Sequence, residues 1–118
     1  MKNQSLQIIH FLIPVIDRDG RPYIRNVHKQ IQRELEDRFG GWTLLSTEPL
    51  PGAWKAPDTG EVEYDESWPY EVGIPPERLQ EFDDFLAAVA FRLGQKTIWR
   101  VLVGEGKAIT AREPKRKT

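Results

Sequence analysis

The run IIHFLIPVI, residues 8–16, constrains the fold more than any other feature of this 118-residue chain. It is rich in Ile and Val, and its alternate positions are apolar on both sides, with Ile9, Phe11 and Ile13 on one side and Ile8 and Leu12 on the other. A strand that is apolar on both sides lies inside a sheet whose two faces are both covered. We therefore expect a layered sheet with this strand in its interior.

Two amphipathic helices are predicted to cover one face of that sheet. The first ends at Gly40, where glycine suits a left-handed cap, and its apolar stripe recurs at helical spacing at Ile24, Val27, Ile31 and Leu35. The second begins after Pro75-Pro76, which suits a first helical turn, and it is capped by Gly94. Its apolar stripe consists of Leu79, Phe82, Phe85, Leu86, Val89 and Leu93.

The segments between and after the helices predict strands. Residues 42–47 form one strand, and PGAWKAPDTGEVEY forms a hairpin with its tip at residues 58–60. The partner strand is expected to have a bend or an edge irregularity at residues 67–69 and to resume over residues 70–74, and residues 97–106 form the last strand.

The order strand, helix, strand, strand, helix, strand predicts an α+β fold. Its simplest form is a ferredoxin-like βαββαβ sandwich, a four-stranded antiparallel sheet with two helices on one face. One domain is expected over residues 1–110. The basic segment 111–118 is predicted to be an unstructured tail. A third hypothesis for function is that this tail contacts nucleic acid.

Composition and motifs exclude several classes of function. The 17 basic and 18 acidic side chains give a net charge of -1, so no global field attracts nucleic acid or a membrane. The chain has no cysteine, which excludes thiolate nucleophiles and Cys-ligated metals. Glycine-rich phosphate-binding motifs, a nucleophilic serine motif and metal-ligand spacings are all absent, so we predict no cofactor and no metal.

The N-terminal apolar run is interpreted as a strand. It is too short to span a bilayer, and no small-residue cleavage site follows it before Asp17. The chain is therefore predicted to be cytoplasmic and to have no membrane partner.

The sheet face opposite the helices is the part of the predicted fold that bears most directly on function. Ile8, His10, Leu12 and Ile16, with either Trp99 or Arg100, make this face too apolar to remain bare in water. Stacking of two copies, sheet on sheet, would give a homodimer, and this solution is favoured. Alternatively, the loop at residues 48–60 folds over the face and leaves a pocket.

Five residues are candidates for such a pocket: His10, Trp54, Tyr64, Trp99 and Arg100. His10 interrupts an apolar strand, where it could act as a general base or be a satisfied interface histidine; the second interpretation is favoured. The aromatic side chains could stack on a small molecule. RNA is disfavoured because the hairpin that carries Trp54 and Tyr64 is acidic and repels phosphates.

Short motifs resemble a group of small bacterial ferredoxin-like proteins of uncharacterised function. The pattern FGG-x-T covers Phe39, Gly40, Gly41 and Thr43, and G-x-W covers Gly52 and Trp54. The resemblance spans about residues 8–103. It implies the fold and no activity.

The leading hypothesis is a homodimeric binding or interaction module. The alternative is a small cofactor-independent enzyme of the dimeric α+β barrel type, which encloses an apolar small molecule between the sheet face and the 48–60 loop. The sequence leaves open whether the protein is an enzyme.

Overall fold

The protein is an α+β structure, and the computed structural model describes residues 5–24 and 26–115. Five strands form one antiparallel sheet: Ser5–Pro14 (β1), Thr43–Leu44 (β2), Leu50–Lys55 (β3), Val62–Ile74 (β4) and Arg100–Lys107 (β5). The helices are Val27–Phe39 (α1) and Leu79–Arg92 (α2), and a short 3-10 turn, Pro76–Arg78, leads into α2.

β1 is an interior strand, as its sequence predicts. It pairs antiparallel with β4 on one side and with β5 on the other. The far edge of β4 pairs with both β2 and β3, so the sheet runs in the order β2-β4-β1-β5 with β3 also beside β4.

The prediction of four strands was wrong, and Pro69 supplies the physical reason. The Leu45 amide donates to the Pro69 carbonyl at 2.8 Å, but proline has no N–H to donate in return. Pairing along this edge therefore stops after Leu44 and resumes where Leu50 faces Ser67. The bend expected at residues 67–69 is absent, because β4 runs unbroken, but the alternative expectation of an edge irregularity there matches the interrupted pairing opposite Pro69.

The core lies between the helices and one face of the sheet. Phe11 stacks on Tyr70 with ring centroids 5.4 Å apart, and Phe82 meets Phe11 edge-on at 5.4 Å. Phe39, the last residue of α1, meets Phe82 edge-on at 5.2 Å. Both helices are thus fixed to the sheet by one aromatic cluster, in which each buried ring contributes about 1.5–3 kcal/mol.

The predicted helix ends are confirmed, whereas one predicted start is wrong. Gly40 follows α1 with φ 89° and donates to the Glu36 carbonyl, and Gly94 follows α2 with φ 68°. Ile24 was assigned to the stripe of α1, but it precedes the helix and is exposed.

The C-terminal segment after β5 forms neither helix nor strand over residues 108–115. The predicted tail, residues 111–118, extends beyond the described residues at positions 116–118. Within the described ranges, neither helix has the length and apolar character that crossing a bilayer requires.

Candidate ligand-binding groove

Strand register places several side chains on the sheet face that points away from the helices. Leu12 and Pro14 of β1 alternate with the buried Phe11 and Ile13, so they lie on this opposite face, and Pro14 pairs with Ser67 of β4. We call this surface the open face.

One half of the open face forms a groove of about 730 Å³, which we call the tryptophan groove. The interior strands β1 and β4 supply its floor through Leu12, Pro14 and Ser67. Trp54 of β3 and Trp99, just before β5, stand on its two sides. The remaining lining residues are Arg18, Gly52, Ala53, Glu63, Asp65, Gln95, Lys96, Thr97, Ile98 and Arg100.

The β3–β4 hairpin gives one side of the groove two carboxylates. Glu63 lies directly across from Trp54, and Asp65 lies across from Gly52. A Cβ atom added to Gly52 would come within 2.6 Å of Asp65 Oδ1, so the missing side chain is what makes room for this carboxylate. The hairpin thus presents an indole and two acids on the same side.

The pKa of Asp65 is raised, chiefly because partial burial disfavours the charged form and further because the charge of Glu63 is close. Within the described part of the chain, neither Glu63 nor Asp65 has a hydrogen-bond donor or an ion-pair partner. These carboxylates therefore have unused capacity to accept hydrogen bonds.

Most of the cationic residues that line the groove are paired with acidic side chains. Lys96 Nζ lies 3.3 Å from Asp58 Oδ2, which joins the loop before β5 to the turn of the β3–β4 hairpin. Arg100 donates from Nε and Nη2 to Asp83 on α2, at 2.9 and 2.7 Å. Arg18, on the turn after β1, is exposed and has no partner among the described residues.

The structure brings three of the five predicted pocket residues together. Trp54, Trp99 and Arg100 all line the groove, but Arg100 pairs with the buried Phe11, so its side chain lies on the helix side of the sheet, where Asp83 holds the guanidinium. His10 lies on the open face outside the groove, and its Nε2 is 2.9 Å from Glu71 Oε1. Tyr64 does not line the groove; it projects from the opposite side of β4 and is 78% exposed.

Two further corrections concern the hairpin. Trp54 was expected on a loop that folds over the face, but it belongs to strand β3. The acidic hairpin was considered only for its repulsion of phosphates, which missed Glu63 and Asp65 as lining residues of the groove. Alternation along the strand could have identified them. Glu63 and Asp65 stand at every second position before Ser67, so their side chains lie on the open face with that of Ser67.

The other half of the open face is a flat patch, which we define by Leu6, Ile8, His10, Glu71 and Val101. Ile8 pairs with Gly73, and its side chain also lies against the position that a Cβ of Gly106 would occupy. Because both neighbours are glycines, the side chains of Leu6 and Ile8 lie over the space that a Cβ atom there would take. This half of the face is flat and apolar around one histidine–glutamate pair.

Among the described residues, no group of three or more acidic or histidine side chains is placed to hold a metal ion. Comparisons of the chain with protein families, with curated proteins and with solved structures found no match. The groove itself is therefore the starting point for function.

Proposed function

We propose that the protein is a small ligand-binding module and that the tryptophan groove is its site. The observation that carries this proposal is the pair of indoles on either side of an open groove, with Trp54 39% and Trp99 67% exposed. Large aromatic surfaces left in water across a concave site are typical of ligand contacts. Both stand on or beside strands of a packed sheet, so the site is held ready for a ligand.

A fragment titration followed by NMR tests this proposal. Fragments that bind the groove are expected to shift the indole N–H signals of Trp54 and Trp99 but not that of Trp42, whose N–H donates to Glu36 on α1. Trp54→Ala should weaken binding about tenfold or more, since it removes one wall. Signals that move only outside the groove, or a Trp54→Ala variant that binds equally well, would contradict the proposal.

The finer description of the fold is part of the proposal. If β2 and β3 are taken as one edge strand interrupted opposite Pro69, the strand order supports a ferredoxin-like βαββαβ sandwich. The FGG-x-T and G-x-W motifs are the basis on which we propose a relationship to small bacterial proteins of that fold. A cytoplasmic location fits an N-terminal apolar run that serves as the central strand β1.

We also propose that the module is a homodimer through the flat patch. Val101 is exposed and lies across from His10, and the patch around Ile8 offers an apolar surface without projections. Two such patches can stack sheet on sheet, at the spacing of about 10 Å that facing sheets adopt. In this arrangement the tryptophan groove lies beside the interface.

Sedimentation velocity tests the dimer. Val101→Lys is expected to shift the protein to monomer, because it places a charge in an apolar contact. Phe91→Lys is the matched control, since Phe91 is an exposed apolar residue on α2, in the layer on the opposite side of the sheet. Association that survives Val101→Lys, or that Phe91→Lys abolishes equally, would count against the flat patch.

A second candidate function is the small cofactor-independent enzyme acting on an apolar molecule. The specific observation in its favour is Asp65, a carboxyl with a raised pKa in the groove, which is the property of a general base. Once a ligand is found, its conversion by the wild type and not by Asp65→Asn would support the enzyme. If the ligand is unchanged after prolonged incubation, the result would contradict the enzyme and leave the binding function as the remaining proposal.

A further inference from the structure

We propose that the tryptophan groove takes an organic cation, an ammonium or guanidinium group on an apolar body, held between the indoles and the carboxylates of Glu63 and Asp65. This inference rests on the proposed binding function, and it names the chemical class of the ligand.

The charges that line the groove leave an excess of acid. Glu63 and Asp65 have no internal partner among the described residues, whereas Lys96 and Arg100 are each paired with an aspartate outside the lining, Asp58 and Asp83 respectively. Arg18 is the remaining cation of the lining, so the unpaired groups sum to one negative charge. A cationic ligand neutralises this excess, whereas an anionic one adds to it.

The aromatic walls favour an organic cation. An ammonium or guanidinium group is attracted to the face of an indole, which is the strongest of the aromatic rings in this interaction. Trp54 faces Glu63 across the β3–β4 pair, so an indole and a carboxylate are placed to contact one cation together. The apolar body of such a ligand can then lie on Leu12 and Pro14 at the floor.

A metal ion fits the groove less well. Divalent cations need several oxygen ligands around one point, and no group of three or more candidate ligands exists among the described residues. Two carboxylates beside two indoles instead match the requirements of a large, weakly hydrated cation.

Gly52 keeps the carboxylate of Asp65 available to a ligand. The carboxyl oxygen Oδ1 occupies the space where a side chain at position 52 would begin. It is partly removed from water there and has no donor within the described chain, which is a costly state for an ionised acid. A bound organic cation would supply the opposite charge, and one that carries N–H groups would also supply the missing donor.

Three probes of closely matched shape test the inference on the 118-residue chain: choline, the neutral 3,3-dimethylbutan-1-ol and the anionic 3,3-dimethylbutanoate. Binding is followed by the indole N–H signals of Trp54 and Trp99 in NMR titrations. We expect millimolar binding of choline and at least about tenfold weaker binding of the other two probes.

Charge-neutral variants locate the cation. Asp65→Asn and Glu63→Gln keep the shape of each side chain, and each should raise the Kd of choline about tenfold, the effect of losing one ion contact with its quaternary ammonium. Glu66→Gln is the matched control, because Glu66 lies on the same strand with its exposed side chain on the opposite side. It should leave choline binding unchanged.

Each outcome decides one of the two proposals. Preference for choline that depends on Glu63 and Asp65, and not on Glu66, supports the organic cation. Equal or tighter binding of the neutral or anionic probe at the same indoles overturns the cation but keeps the groove as a binding site. Equal loss in all three carboxylate variants overturns the assigned residues. Absence of binding by every probe and every fragment overturns the groove itself.

Discussion

His28 is the residue whose environment most clearly predicts a pH dependence. It lies in the first turn of α1, and both of its ring nitrogens are buried without a hydrogen-bond partner among the described residues. This burial lowers the pKa of His28, because a charged imidazole would lose its hydration there. The folded protein therefore holds the histidine neutral.

We expect the free energy of unfolding to fall as the pH drops below the ordinary histidine value of about 6.5. Between that value and the lower pKa of the folded state, the unfolded chain binds more protons, so acid favours unfolding. Urea denaturation at a series of pH values between neutral and mildly acidic measures this slope. His28→Leu should remove that part of the slope, and a variant with the same slope as the wild type would show that other groups cause it.

Alternation in the sequence holds more information about the groove than hydropathy does. Trp54 and Trp99 could be chosen as candidates from their residue type alone. Glu63 and Asp65 could not be chosen from residue type, because an acidic string on a hairpin usually faces water. The register of β3 against β4 is what places these carboxylates on the same side as the indole of Trp54. His10 was a reasonable candidate, but its partner Glu71 is 61 positions away, and no local pattern reveals such a contact.

At the scale of elements, α2 provides a matched pair of phenylalanines. Phe82 is fully buried among Phe11, Phe39 and Phe85, whereas Phe91 is 88% exposed on the same helix. Phe82→Ala is expected to lower the free energy of unfolding by about 3–5 kcal/mol, because it leaves a cavity in the aromatic cluster. Phe91→Ala should change it by less than about 0.5 kcal/mol. Chemical denaturation of both variants makes the comparison, and similar losses would argue against the described packing.

Helices were easier to predict than strands for a local reason. The stripe and the glycine cap of α1 or α2 lie within one continuous segment, so the sequence contains the whole pattern. The division of the edge into β2 and β3 depends instead on Pro69, which belongs to the neighbouring strand. Strand boundaries of this kind are set by a partner that local sequence patterns do not identify.

At the scale of the whole molecule, the open face is divided between two surfaces, for which we propose two different roles. The flat patch and the tryptophan groove share strand β1, which gives Leu6, Ile8 and His10 to the patch and Leu12 and Pro14 to the groove. Association through the patch would therefore place two grooves in one assembly, related by the symmetry of the dimer. Titration of the dimer with choline should give one ligand for each chain, and half that ratio would mean that the two grooves merge or block one another.

The ion pair between Lys96 and Asp58 makes the tryptophan groove sensitive to ionic strength. It joins the two sides of the groove, yet both side chains are exposed, so dissolved salt screens their attraction. Added sodium chloride should therefore free the hairpin turn from the loop before β5 with little change in melting temperature. Exchange broadening of the amide signals of residues 56–60 would detect this motion, and Lys96→Gln should reproduce it at low salt. A cationic ligand would also be held less tightly as the medium becomes more saline, because salt screens its attraction to the carboxylates of the groove.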